Sequence, residues 1–188
     1  GPEVGLKRWP SCRGTHSAIL AALALHKRGI TTSDIASVSV HVGPPNDMLF
    51  VPRPQRIAPQ TAIDGKFSIP FVFASTLANG DLNLSSFSRG QLHANEILSL
   101  AEKVILAPER VPQEHEAIYR VEMGNGDIIT ETIKAVPVWR SGDVTLDQLV
   151  PKLQTCLSLG TRPLHVADFI DAIKAMETRP LTSIMQLL

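Results

Sequence analysis

Cysteine is scarce in this chain of 188 residues. Cys12 and Cys156 stand far apart, which excludes a disulfide framework, and with no CxxC pair there is no zinc cradle to read. A reducing compartment is therefore expected. Aromatic residues make up only 5% against 44% hydrophobic overall, so the core has to be mainly aliphatic. Neither sign of charge dominates: lysine plus arginine and aspartate plus glutamate number 18 each. That balance removes the general electrostatic argument for nucleic acid or an anionic membrane. No apolar run reaches spanning length, and the first residues do not read as a signal peptide. Repeats, charge blocks, Gly-rich phosphate loops, a GxSxG elbow, kinase motifs and an HxxxH ligand pair are all missing.

What is present is an apolar pattern that changes period along the chain. His16 to Arg28 carries a broad apolar face ended by Gly29, with Thr15 or Ser11 as the expected cap. Ile35 to Val42 alternates, with Val38, Val40 and Val42 on one face and Ser37, Ser39 and His41 on the other, as a half-solvated strand does. The five prolines between residues 43 and 61 predict a long irregular loop. Ser68 to Asn79 predicts a buried helix that Pro70 can only begin and Gly80 closes. Residues 85–92 predict a short turn or helix, and Glu96 to Val104 an amphipathic helix running into a strand near Ile105. Glu116 to Met123 and Asp127 to Val136 are expected strands, joined at Gly124-Asn125-Gly126. Gly142-Asp143 marks a turn. Helices are expected over Leu146 to Leu157 (Thr145 as cap), Pro163 to Met176 and Pro180 to Leu188. This order predicts an α+β domain: a small, largely antiparallel sheet covered by helices. Gly1-Pro2 has the form of a protease-cleavage scar, so residues 1–5 are expected to be a tag remnant or linker and residues 6–188 one domain.

The chemistry concentrates at Lys7-Arg8-Trp9-Pro10-Ser11-Cys12-Arg13-Gly14-Thr15-His16. Three cations, a thiol and an imidazole precede or open an apolar helix, whose unpaired N–H groups and dipole favour an anion. Lys7 can neutralise a carboxylate or donate a proton; it equally reads as a surface lysine. His16, near the positive end of the helix dipole, is expected to be neutral, fit to donate a hydrogen bond or accept a proton. A thiolate at Cys12 would suit nucleophilic catalysis with His16, but a buried structural cysteine is the simpler reading. Arg13 can clamp a carboxylate or stay solvated. In the second segment, Asp64-Gly65-Lys66-Phe67-Ser68-Ile69-Pro70-Phe71, Lys66 and Ser68 can add a cation and a hydroxyl to the same pocket, although Ser68 also suits a helix start. His26, His41, His93, His115 and His165 show no metal-ligand spacing, so no metal site is expected.

Lys7-x-Trp9-Pro10-x-Cys12-x-x-x-His16 before an alanine-rich helix, then Ile35-x-x-Val38-x-Val40, then Asp64-x-Lys66-Phe67-Ser68-x-Pro70-Phe71 before a helix ending Leu77-x-x-Gly80, resembles the C-terminal domain of the MmgE/PrpD family. The late hairpin and the Leu146 to Leu157 helix fit as well. That family includes 2-methylcitrate dehydratase, cis-aconitate decarboxylase and iminodisuccinate epimerase. The resemblance implies the smaller α+β lid of a two-domain protein, with the large helical N-terminal domain absent from this chain. It implies an interdomain active site to which the lid contributes a lysine, matched by Lys7, and a residue five positions later, matched by Cys12. Cis-aconitate decarboxylases resemble one another in having histidine at that second place, so Cys12 argues against that activity. His16 matches a further polar position.

The implied chemistry is cofactor-free proton movement next to a carboxylate, in dehydration, decarboxylation or epimerisation of a small di- or tricarboxylate. The implied partners are that substrate, the helical domain of the same protein and a second copy in a homodimer, with no nucleic acid and no membrane. The expected location is cytoplasmic, or the mitochondrial matrix in a eukaryote. A stand-alone, non-catalytic carboxylate-binding or assembly module is the alternative, and a cysteine hydrolase built on Cys12 and His16 a third.

Overall fold

A computed structural model describes residues 5–111, 116–137, 139–140, 144–160, 165–175, 178 and 182–185. The chain divides into two compact units, Lys7–Val138 and a second made of Gly1–Leu6 with Trp139–Leu188. Each is described by itself.

In the larger unit, the helix expected after His16 is α1, His16–Lys27. Gly29 follows it at φ +76°, a backbone region that glycine enters without a Cβ penalty. The alternating segment is β2, Ile35–Val42, numbered after β1, Gly5–Leu6, of the smaller unit. Val38, Val40 and Val42 are buried as the alternation requires. Strict alternation would also bury Ala36 and expose Ile35; the reverse is observed. A register irregularity between Ile35 and Ser37 accounts for it, because one extra residue turns the strand's start over.

The sheet has the order β3-β2-β4-β5, with β3 Val104–Leu106, β4 Ala117–Met123 and β5 Ile128–Ile133. Two of its three pairings are antiparallel, and only β2 with β3 is parallel. The α+β class with a small, largely antiparallel sheet is therefore as expected. Ala117, Tyr119 and Val121 extend the buried face that β2 begins. Helices α1, α4 (Ile69–Asn79) and α6 (Asn95–Lys103) pack together, and α1 also meets β4 and β5. Most of α4 is buried, because it is apolar nearly all round.

The stretch from 43 to 61 departs from the expected irregular loop. It holds a 3₁₀ turn, Asn46–Phe50, and the short helix α2, Arg53–Ile57. Pro44 and Pro45 precede the 3₁₀ turn, Pro52 precedes α2 and Pro54 lies in its first turn, where the missing N–H costs nothing, and Pro59 follows α2. Arg53 of α2 donates to the carbonyls of Val104 (2.6 Å) and Glu102 (2.7 Å), tying the segment to the junction of α6 and β3. A second unforeseen helix, α3 (Ala62–Lys66), begins with a reciprocal cap. Thr61 Oγ1 accepts from the Asp64 amide, and Asp64 Oδ2 accepts from the Thr61 amide, 3.2 Å each. Arg89–Leu92 forms α5, preceded by a 3₁₀ turn over Leu84–Phe87.

In the smaller unit, β1 pairs antiparallel with β6, Trp139–Arg140. Its helices are α7, Leu146–Ser158, α8, Val166–Lys174, and α9, Thr182–Met185. Thr145 starts α7 in a reciprocal box with Gln148, as its cap position predicts. The turn expected at Gly142-Asp143, the outer residues of the last two expected helices, His115 and the Gly1-Pro2 pair lie outside the described residues.

Candidate functional site

The Lys7–Gly14 segment runs into a 3₁₀ turn, Arg13–Thr15, that leads directly into α1. The expected side-chain cap is not made. Thr15 Oγ1 instead donates to the Cys12 carbonyl (2.7 Å) and shares a hydrogen bond with Ser11 Oγ (2.8 Å). The two hydroxyls are thereby spent inside the turn, and no acidic side chain occupies the first turn of α1. The positive end of this helix is not neutralised by its own sequence.

His16 is 3% exposed, and its Nε2 is buried without a hydrogen-bond partner among the described residues. Burial and then the Lys7 ammonium, with a smaller contribution from Arg13, push its pKa down to about 4. Hydrogen bonding by the backbone of Trp9 and Ser11 opposes the shift. The imidazole is therefore neutral at physiological pH, as its place in the sequence predicts. Its ring packs edge-to-face on Trp9, centroids 5.2 Å apart at 85°. The Arg8 guanidinium lies 4.9 Å from the centre of the same indole. Lys7 and Arg13 are exposed.

Cys12 is half-buried and packs against the core. Its amide donates to the Lys66 carbonyl at 2.9 Å, so the two segments that stand out in the sequence are joined by a backbone hydrogen bond. The Lys66 ammonium lies 5.5 Å from the centre of the Phe87 ring. Ser68 is fully buried; its hydroxyl accepts from the Phe71 amide (3.0 Å) and donates to the Arg56 carbonyl. Both functions of that hydroxyl are used at the start of α4. Gly14 lies where a Cβ would run into Asn46 and Leu49, so the 3₁₀ turn after β2 closes against the site loop.

Arg8 and Trp9 belong to this arrangement, although the sequence pattern gives neither a role of its own. The signal was present: a cation beside a tryptophan, seven residues before a histidine. Among the described residues no three His, Cys, Asp or Glu side chains could share a metal ion, and no helix is long and apolar enough to cross a membrane. His26 bonds the Leu77 carbonyl and His41 the Glu109 carbonyl. A polar cleft of about 300 Å³ lies elsewhere, lined by Asn79, Asp81, Asn83, Ser86 and Gln91 among others. It contains no cation and none of the expected site residues.

No curated protein matches the chain. A model of the MmgE/PrpD C-terminal domain matches residues 9–174. With that match running from Trp9 of the site through the sheet to the last turn of α8, the chain belongs to the MmgE/PrpD family and carries its C-terminal domain.

Proposed function

We propose that this chain is the lid of a lyase or isomerase that removes a proton next to a carboxylate of a small di- or tricarboxylate, without a cofactor. The observation that carries the reading is the buried, neutral His16, whose Nε2 has no partner among the described residues, in the field of Lys7 at a helix start with no acidic side chain in its first turn. Such a group is costly to bury unless something answers it. Lys7 and Arg13 hold the substrate carboxylates, with Lys66 as a further cation. A neutral base takes the proton from the adjacent carbon, and the electron pair left behind spreads into the carboxylate that the cations stabilise. In dehydration that pair expels the neighbouring hydroxyl, which leaves as water after taking a proton from an acid. In epimerisation the proton returns to the opposite face. His16 assists the proton movement, the main base belongs to the helical domain of the same protein, and Cys12 favours dehydration or epimerisation over decarboxylation of cis-aconitate.

Exposed Met48, on the 3₁₀ turn that meets the site loop, with Val51 just after it, and Ile63 and Phe67, at α3 whose end is bonded to Cys12, support a second domain seated nearby. We place the full protein in the cytoplasm as a homodimer. The test supplies the chain with a preceding helical domain and follows water loss from a hydroxytricarboxylate. Turnover is expected only with both parts and is lost in Lys7→Ala; undiminished turnover in Lys7→Ala would end the proposal.

A further inference from the structure

The polar cleft of about 300 Å³ lies where α4 ends, and Asn79, Asp81, Asn83, Ser88 and Gln91 line it with Ser85 and Ser86. Its amide side chains cannot turn over, because backbone groups fix them. The Ser75 carbonyl can only accept, so the Asn79 amide nitrogen faces it at 2.8 Å. The same nitrogen donates to Gln91 Oε1 at 3.0 Å, which turns Gln91 Nε2 the other way. The Ser85 amide can only donate, so Asn83 Oδ1 accepts from it at 2.9 Å. Asn83 Nδ2 then donates to Asp81 Oδ2 at 3.1 Å. Four groups on these lining residues make no bond among the described residues. They are the acceptors Asn79 Oδ1 and Asp81 Oδ1, the donor Gln91 Nε2, and the Ser88 hydroxyl, which makes no cap bond at the start of α5.

This pattern selects a ligand class. Among the described residues no lysine, arginine or histidine lines the cleft and a carboxylate does, which disfavours an anion. A hard divalent cation takes oxygen ligands, and here it meets a single carboxylate and an N–H donor. No apolar side chain among the described residues lines the cleft to hold a hydrophobic ligand. A hydroxyl both donates and accepts, so neighbouring hydroxyls on one ring answer fixed acceptors and a fixed donor together. We propose that the cleft binds a small neutral polyhydroxyl compound, a single sugar or cyclitol ring. Asn79 and Asp81 accept from its hydroxyls, and Gln91 donates to them. Side chains already locked by their neighbours lose little freedom when the ring binds. None of this depends on the carboxylate reading above.

Side-chain amide NMR on the whole chain tests it, with methyl glucoside, methyl galactoside and myo-inositol as probes. The Asn79 and Gln91 amide signals are expected to shift saturably with at least one of the three. An affinity of about 1 mM is expected, which is what four net hydrogen bonds amount to. Gln91→Glu keeps the oxygen that Asn79 holds and replaces the free donor by an acceptor. It is expected to weaken binding by about tenfold, read from the Asn79 signals. Asp81→Asn, which exchanges the free acceptor for a donor, is expected to do the same. Shifts that saturate with none of the three probes overturn the proposal. So does undiminished binding in Gln91→Glu, since the fixed polarity of the cleft would then not be what selects the ligand. Saturable shifts with calcium chloride and none with the probes would make the cleft a cation site and overturn it equally.

Discussion

The amide of Cys12 donates to the carbonyl of Lys66 across 2.9 Å, stitching the loop before α1 to the end of α3. The connection uses backbone only, so the thiol is not needed for it. Cys12→Ala is therefore expected to unfold in urea within about 1 kcal/mol of the parent, the cost of a small, half-buried side chain. In the protein supplied with its helical domain the same variant separates two chemistries. A cysteine hydrolase loses all turnover, whereas a proton-moving lyase or isomerase keeps most of it.

Lys7 and His16 repel each other as charges, and this is the second cause, after burial, of the low His16 pKa. Removing the ammonium in Lys7→Ala is expected to raise that pKa above about 4. It stays below the ordinary value of 6.5, because burial is the larger cause and persists. An NMR titration of the His16 ring signals reads the change directly. No movement in Lys7→Ala would mean that the two groups are farther apart in solution than the structure has them.

The same histidine makes stability depend on pH. Its folded pKa is depressed, so the unfolded chain binds the proton more readily. Stability gained from keeping His16 neutral is complete above the unfolded value of 6.5 and is lost as pH falls towards about 4. The loss is of the order of 2–3 kcal/mol. Carboxylates titrate in the same range, so the informative quantity is the difference between parent and His16→Gln. Urea midpoints at pH 7 and pH 4.5 are expected to lie closer together in the variant than in the parent.

The elements of this fold were legible where one residue period dominates. α1, β2, α4, the junction of α6 and β3, and the β4–β5 hairpin stand within a few residues of where their patterns put them. Short, capped elements were harder. α3 has five residues, and its only signal is the Thr61-x-x-Asp64 box. Five prolines masked α2 by suggesting a loop. The inversion of Ile35 and Ala36 comes from a pairing irregularity, which a partner strand creates and no local pattern carries. At the site, the expected neutrality of His16 is what the structure gives, but its largest cause is burial, followed by the Lys7 ammonium, rather than the helix start. The surroundings of His16 were not legible, because the approach of the Arg8 guanidinium to Trp9 and the edge-to-face packing of Trp9 on His16 are three-dimensional facts. The two hydroxyls expected to cap α1 could not be assigned from sequence, since Ser11 and Thr15 had each other as partners.

Within the core, Ser17 Oγ and Tyr119 Oη share a hydrogen bond of 2.9 Å between α1 and β4. Burial raises the Tyr119 pKa well above its ordinary value, so the phenol stays protonated. Its ring stacks on Phe73 with centroids 5.7 Å apart. Tyr119→Phe keeps the stack and strands the Ser17 hydroxyl, at a cost of about 1–3 kcal/mol. Adding Ser17→Ala removes the stranded group, so the double variant is expected to lose less than the two single losses added together. Additive losses in urea would mean that the hydroxyls do not bond.

Gly80 and Gly29 offer a controlled comparison, because each follows a helix with a positive φ, +68° and +76°. A side chain at either position pays about 1–2 kcal/mol for the left-handed backbone. Gly29 has open space where its Cβ would be, so Gly29→Ala pays that and little more. At Gly80 the added carbon meets the His26 ring, with Cδ2 at 2.9 Å and Cε1 at 3.0 Å besides a still closer Nε2. The ring has to swing away, and its 2.9 Å hydrogen bond to the Leu77 carbonyl goes with it. Gly80→Ala is accordingly expected to cost about 1 kcal/mol more than Gly29→Ala, the net worth of one hydrogen bond. In a His26→Ala background the obstacle is already gone, and the two glycine substitutions should become equal. If Gly80→Ala stays the costlier by the same margin there, the contact between the ends of α1 and α4 is not what holds Gly80 in place.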